Sequence, residues 1–552
     1  MKEENCQQCN NPFKVFDEDL IYYESIGVPI PKQCPECRLI RRLHERNTKN
    51  LYYRNCDFSG KKTLSHYHEE HPFPVYSPAA WWSYDWEPLK YGRDFDFTRP
   101  FFEQFFELKN SVPHLALFNT EGTLENSEYN NCTAYLKNCY LVAETDYCED
   151  CYYGNLLKKS RTLIDCSICY ECEACYECID WSNCYNLKYS QDCISCSDSY
   201  FLKNCIQCSD CIGTINQRHK QYMIFNKQYT QEEYKAAVKA FALDTVEGVE
   251  ALRKECYDFF LTQPHKAVIG EQNQNSSGDH ISNSKNAFNC FDSKDLEDCR
   301  YCQKLSLGVK SSMDYNSWGN KAELIYQSSG CGDNCYNLKF CVNCQSNVRD
   351  SEYCFEMFSS SNCFGCVSLK KASYCILNKQ YSKEDYIELK AKIIEHMKKT
   401  GEYGEFFPIE IAPFAYNESF VIDTFPITKE EATVRGYRWR ESKEKANQSQ
   451  TYNVPEKIEN VKDDICNALL ACSICQKNYK IIPQELKLYR QLNSPIPQKC
   501  PMCRHRGRMA LRNPLKLWER ECAKCNSTVK TSFAPERSEI IYCEKCYLDS
   551  VY

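Results

Sequence analysis

The chain has 552 residues, long enough for several domains that each bury a core of their own. A formal charge of −7 is mild for that length and gives no bulk attraction to nucleic acid, while 41 cysteines, 40 tyrosines and only 18 glycines exclude a flexible low-complexity chain. Met1-Lys2-Glu3-Glu4-Asn5 has no apolar signal region and no segment is suited to spanning a bilayer, so the expectation is a cytoplasmic protein with metal rather than disulfide chemistry.

The first element, residues 1–81, carries Cys6, Cys9, Cys34 and Cys37 in the spacing Cys-x2-Cys-x24-Cys-x2-Cys. The same spacing recurs 466 positions further on as Cys472, Cys475, Cys500 and Cys503, within a last element at 466–552. Two such knuckles supply the four thiolates of a closed tetrahedral zinc site, with no position left for water. The C-terminal copy adds a second set, Cys522, Cys525, Cys543 and Cys546, where the N-terminal copy has Cys56, Ser59, Ser77 and Ala80. About three Zn2+ per chain are therefore expected. His66, His68 and His71 lie where they could replace the lost thiolates, or they are surface histidines in a polar turn.

A basic stretch follows each first knuckle pair. Arg38, Arg41, Arg42 and Arg46 head one, and Arg504, Arg506, Arg508 and Arg512 head the other; each carries a balance of +5 over 38–54 or 504–520. A basic element braced by a zinc ribbon can contact phosphate, and it can equally well balance thiolate charge. Residues 67–106 are crowded with aromatics, and 82–122 is expected to form a cap on the first Cys-rich block, with a base-stacking surface as the alternative.

Two Cys-rich blocks come next, at 123–228 and 273–381, separated by a helical spacer at 229–265. Their duplication shows in Asn183-Cys184-Tyr185-Asn186-Leu187-Lys188 against Asn334-Cys335-Tyr336-Asn337-Leu338-Lys339. It shows again in Asn226-Lys227-Gln228-Tyr229 against Asn378-Lys379-Gln380-Tyr381, each leading into a capping-box helix start at Thr230 or Ser382. From Cys139 to Cys211 every interval between cysteines is a multiple of three. Neither an α-helix nor a flat strand keeps such positions on one side, whereas a coil of short strands with Asn, Asp and Ser corners does. The expected coil is about 18–24 residues per turn. Its cysteines read first as an apolar interior ladder, with metal or cluster ligands and redox-active thiols as alternatives. Residues 382–465 are read as a helix, a further capping-box start at Thr428, and a polar linker from 441 to 460.

Cys34-Pro35-Glu36-Cys37-Arg38 and the ending Phe533-Ala534-Pro535 with Ile541-Tyr542-Cys543-Glu544-Lys545-Cys546-Tyr547 resemble the bacterial "probable zinc-ribbon" domain. With Pro72-Phe73-Pro74-Val75-Tyr76, Trp81-Trp82-Ser83 and Tyr91-Gly92-Arg93-Asp94-Phe95-Asp96-Phe97, nearly the whole chain is similar to large Cys-rich zinc-ribbon proteins of candidate-phyla bacteria. That resemblance implies zinc ribbons and no defined reaction. Some relatives carry a CoA-transferase label of the carnitine/bile-acid type, which no residue here supports.

The expected fold is mainly β and multidomain: terminal zinc ribbons flanking two Cys-rich β-solenoid blocks with short helical spacers. Phosphate-loop, nucleophile-elbow and His-Glu-x-x-His patterns are absent from the sequence, and His68-Glu69-Glu70-His71 has the wrong spacing. The expected function is a non-enzymatic, zinc-binding cytosolic scaffold with a macromolecular partner, nucleic acid being one candidate, and without a membrane partner. The alternative is a metal-storage or redox protein using the solenoid cysteines.

Overall fold

A computed structural model describes residues 1–441 and 447–551. The fold is mostly β, with one 14-stranded and one 13-stranded sheet and several two-stranded ones, and twelve α-helices among the described residues. None of those helices is long and apolar enough to cross a membrane. Part of the expected 441–460 linker, residues 442–446, lies outside the described residues.

The chain forms two compact units, and they do not follow chain order. One unit contains Met1–Leu117, Val268–Arg440 and Leu515–Leu517, so the N-terminal module belongs with the second Cys-rich block. The other contains Phe118–Ala267, Glu441–Pro514 and Trp518–Tyr552, so the C-terminal module belongs with the first block. Sequence proximity could not show this, because what joins each pair is long-range packing.

Each Cys-rich block is a parallel ladder of very short strands. In the first block Arg161 pairs with Glu173, Glu173 with Tyr185, Tyr185 with Ser197, and Ser197 with Ser209, a constant step of twelve residues. The expected 18–24 residues is too long. The reason is a left-handed residue at every third position from Tyr135 to Asp210, with φ near 50–60°, which turns the chain after only three residues. Asn and Asp tolerate that region best, and side-chain bonds such as Asn186 Nδ2 to Asp198 Oδ1 (2.9 Å) and Asn204 Nδ2 to Asn216 Oδ1 (3.2 Å) link corners one step apart.

The residue after each left-handed corner points inward. That slot holds Leu157, Ser160, Leu163, Cys166, Cys169, Cys172, Cys175 and Cys178 in succession, all buried. These eight inward side chains are all small or slim. The interior also makes a demand on hydrogen bonding. The amide of an inward residue is met by the inward side chain twelve residues earlier: Cys172 N–H donates to Ser160 Oγ (3.2 Å), Cys196 N–H to Cys184 Sγ (3.3 Å) and Cys208 N–H to Cys196 Sγ (3.4 Å). The same side chains donate to the carbonyl two residues back, as Ser190 does to Lys188 (3.0 Å) and Cys184 to Ser182 (3.2 Å). Cysteine, serine and threonine share the slot because each both donates and accepts.

The second block begins with an eleven-residue step, Gly270 on Ile281, continues and ends with twelve, Gly278 on Cys290 and Ser361 on Ser373, and in its middle steps by thirteen, as in Met313 on Tyr326 and Tyr336 on Arg349. That extra residue removes the strict multiple-of-three rule there and accommodates the large inward Tyr315, which is fully buried. Both ladders close with an antiparallel hairpin built from the repeated Asn-Lys-Gln motif: Met223 pairs with Gln228, and Cys375 with Gln380. Asn226 and Asn378 sit at φ of 59° and 61°, and their Oδ1 atoms accept from Ile215 N–H (3.0 Å) and Val367 N–H (2.8 Å). Thr230 and Ser382 then cap the helices Gln231–Ala240 and Lys383–Thr400 as expected.

One flank of the first ladder is apolar at the twelve-residue step (Ile164, Tyr176, Ile212, Ile224) and packs with Leu252 and Phe260 of helix Val246–Leu261 and with Leu486, Tyr489 and Ile496 of the C-terminal module. The aromatic segment packs elsewhere than expected. Trp81 lies 5.4 Å from Phe358, and Phe101 lies 5.2 Å from Tyr353 and 5.4 Å from Phe364, so it packs on the second ladder. Trp81 and Phe101 are fully buried, whereas Trp82, Tyr84, Phe97 and Phe106 of the same segment are exposed.

Candidate metal centres and the arginine seats

Each first knuckle starts on a β-hairpin and ends on a helix. In the N-terminal module Lys2–Asn5 pairs with Pro12–Val15, Cys6 and Cys9 lie in the turn, and Cys34 is the N-cap of helix Pro35–His44. The backbone turns back at Asn10 (φ 60°), so that Asn10 N–H donates to Cys6 O (2.8 Å) and Cys34 N–H to Cys6 Sγ (3.2 Å). The C-terminal module repeats this with Gln476 (φ 61°) and with Cys500 as the N-cap of helix Pro501–Met509.

Three sets of four cysteines bring their Sγ atoms within 4.8 Å of one another: Cys6, Cys9, Cys34, Cys37; Cys472, Cys475, Cys500, Cys503; and Cys522, Cys525, Cys543, Cys546. These are all twelve metal residues expected from spacing, and their arrangement can hold three metal ions. The donor chemistry fits zinc: four soft thiolates per site, and amide N–H groups aimed at sulfur as second partners. Such closed sites hold structure and leave no open position for catalysis.

Two other cysteine groups do not form such sets. Among the described residues, no ladder cysteine belongs to a cluster of three or more close donors, and neither does Cys56 with His66, His68 or His71. Burial pushes Cys172 and Cys211 up to about 12 and raises Cys175 well above the ordinary thiol range, which keeps them as neutral S–H donors. His66 is buried and His68 and His71 are half-buried: burial lowers His66 to about 3 and holds His71 well below the usual imidazole range, and the rings of His68 and His71 stack at 4.0 Å.

The basic stretches have a different destination from the expected phosphate contact. Arg38, Arg42, Arg46, Arg504 and Arg508 are buried, Arg41 and Arg512 half-buried, and Arg506 alone of the eight is exposed. Arg38 Nε and Arg42 Nη1 grip the two carboxylate oxygens of Asp314 at 2.9 and 3.2 Å. Arg504 Nε and Arg508 Nη1 grip those of Asp165 at 2.7 and 3.0 Å. The i,i+4 spacing places both arginines on one helix face, and each aspartate occupies a left-handed ladder corner. The surroundings are duplicated too. Asp19 accepts from Arg300 (2.8 Å) and Tyr301 (3.1 Å), and its counterpart Glu485, 466 positions on, accepts from Tyr153 (2.9 Å) and Tyr489 (2.7 Å). Arg38 also stands 5.6 Å from the Tyr301 ring and Arg504 5.0 Å from the Tyr153 ring.

Two of the remaining arginines also pair internally: Arg512 Nε meets Asp180 at 2.7 Å, and Arg41 meets Glu405 at 3.4 Å and donates to Phe407 O. Arg38, Arg42, Arg504, Arg508 and Arg512 therefore seat each knuckle module on the ladder of its own unit. Asp165, Asp314, Asp19 and Glu485 were not singled out from sequence. The signal was available in part, since Asp19 and Glu485 keep the 466-residue offset and the arginines keep the i,i+4 spacing.

No family model matches the chain, and no curated protein does. Among solved structures the chain is similar to "putative acetyltransferase from Desulfovibrio desulfuricans G20", at 7% identity and a TM-score of 0.09, over 46% of this chain and 68% of that one. A likeness at that TM-score carries no argument about this chain.

Proposed function

We propose that the protein is a non-enzymatic scaffold in which zinc-ribbon modules clamp two Cys-rich β-solenoids, whose outer faces serve a macromolecular partner. The observation that carries this reading is the twin arginine seat: in each unit two helix arginines from a knuckle module close on one buried ladder aspartate. Parallel steps of eleven to thirteen residues support the solenoid, and the repeated inward hydrogen bonds support a structural role for its thiols. The absence of close donor clusters among the described ladder cysteines weighs against metal storage. With five of the eight arginines buried, the basic stretches offer little to a phosphate backbone, and a protein partner is the preferred reading. The test is a titration of the metal-loaded protein with single- and double-stranded nucleic acid at low and high salt. Weak binding, unchanged by Arg506→Glu, is the expected result. Tight, steeply salt-dependent binding that is lost in that variant with the fold intact would replace this reading with a nucleic-acid one.

A further inference from the structure

The second knuckle of the C-terminal module, Cys522, Cys525, Cys543 and Cys546, has a counterpart in the N-terminal module with one cysteine, two serines and an alanine. The backbones of the two can be compared bond by bond. Cys522 N–H donates to Ser527 O at 2.9 Å, and Cys56 N–H to Lys61 O at 2.9 Å. Asn526 N–H donates to Cys522 O at 2.8 Å, and Gly60 N–H to Cys56 O at 2.8 Å. The turn residues share a left-handed conformation, Asn526 at φ 59° and Gly60 at φ 69°. Across the site, Cys543 N–H donates to Cys522 Sγ at 3.2 Å, and Ser77 N–H to Cys56 Sγ at 3.2 Å.

The flanking elements correspond as well. Hairpin Tyr52–Asn55 with Lys62–Ser65 matches Trp518–Glu521 with Thr528–Thr531, strand for strand and register for register. Val75–Tyr76 and Ile540–Tyr542 each join a parallel partner strand, and a helix follows each, Pro78–Trp82 and Glu544–Val551. Even the exposure pattern is shared: Cys56 buried, Ser59 exposed, Ser77 half-buried and Ala80 buried, as for Cys522, Cys525, Cys543 and Cys546 in turn.

We infer that residues 56–80 are a latent fourth zinc site, a complete knuckle backbone that lacks only three thiols. Packing supports the frame: Phe58 lies 5.2 Å from Tyr76, and Trp81, next to Ala80, is fully buried against Trp86 and Phe358. The Ser77 amide still points at the one remaining sulfur, the interaction a zinc-bound thiolate uses. Burial pushes the Cys56 thiol up, but bonds from Ser59 and Ser77 outweigh it and bring the group down to about 7. The site is thus biased toward thiolate before any metal arrives.

This inference rests on the reading that the three four-cysteine sets hold zinc, and the experiment separates the two. The full-length triple variant Ser59→Cys, Ser77→Cys, Ala80→Cys is compared with the parent by anaerobic zinc analysis and by the thiolate–cobalt absorption of cobalt-loaded protein. A parent with three zincs and a variant with four, returning to three on adding Cys56→Ala, is the expected result. A variant that keeps the parental circular dichroism and protease pattern yet binds three would overturn the inference. A parent with fewer than three would instead count against the reading of the three sets. Should the buried Ala80→Cys change prevent folding, Ser59→Cys with Ser77→Cys alone must fold and add a thiolate–cobalt band; misfolding of that double variant, or a folded one without the band, would also overturn it.

Discussion

Cysteine does two opposite jobs in this chain, and the end modules and the ladders show them side by side. In the end modules sulfur accepts: amides point at Cys6 and Cys522 from across the knuckle, and four sulfurs converge. In the ladders sulfur also donates, to the carbonyl two residues back, and Cys175, Cys184 and Cys196 relay to the amide one step on. Convergence makes a candidate metal site, whereas a periodic relay makes a buried hydrogen-bonding spacer that serine can replace. The difference lies in backbone geometry, a hairpin turn against a three-residue corner, and not in the local density of cysteines.

The largest contrast should come from one substitution made in both places. Cys500→Ser removes a ligand from a site whose metal contributes on the order of 10 kcal/mol to folding of its module. Zinc should fall from three equivalents to two and residues 466–552 should become protease-sensitive; an unchanged digestion pattern would count against the assignment. Second in size are the aspartate seats. Asp165→Ala or Asp314→Ala strands two buried arginines, a loss of about 3–5 kcal/mol. Denaturant unfolding should show that loss in the affected unit while zinc remains bound.

Opposite responses to pH sharpen the comparison further. Cys172 and Cys211, raised to about 12 by burial, stay protonated in the fold while unfolded thiols ionise. The unfolded state then binds fewer protons, so ladder stability should fall between about pH 9 and 12, by ~1.4 kcal/mol per pH unit for each such thiol. The metal sites should fail at the other end, because protons compete with metal for thiolates. Circular dichroism and zinc release followed across pH would separate the two; a ladder that melts in acid together with zinc loss would erase the distinction. The smallest effect is Cys184→Ser, within about 1 kcal/mol, since a hydroxyl can make the same two bonds. Cys184→Ala, which leaves the Cys196 amide unpaired, should cost about 1–3 kcal/mol by thermal unfolding.

The metal centres were legible because ligand spacing is a local property, repeated at one offset for all eight cysteines of the first knuckles. Period three announced a β return but not its length; the estimate assumed strands of ordinary size, and corners at every third residue allow twelve. The arginine seats were not legible because charge alone does not distinguish a surface patch from a buried clamp, and the partners Asp165 and Asp314 lie hundreds of residues away. The pairing of each end module with the more distant block has no local signature either.

The most direct test is anaerobic elemental analysis of the full-length protein. Three zincs per chain, with iron and copper absent, is the result this account predicts. Stoichiometric iron or copper, or zinc well above three, would place metal on the ladder thiols and contradict it.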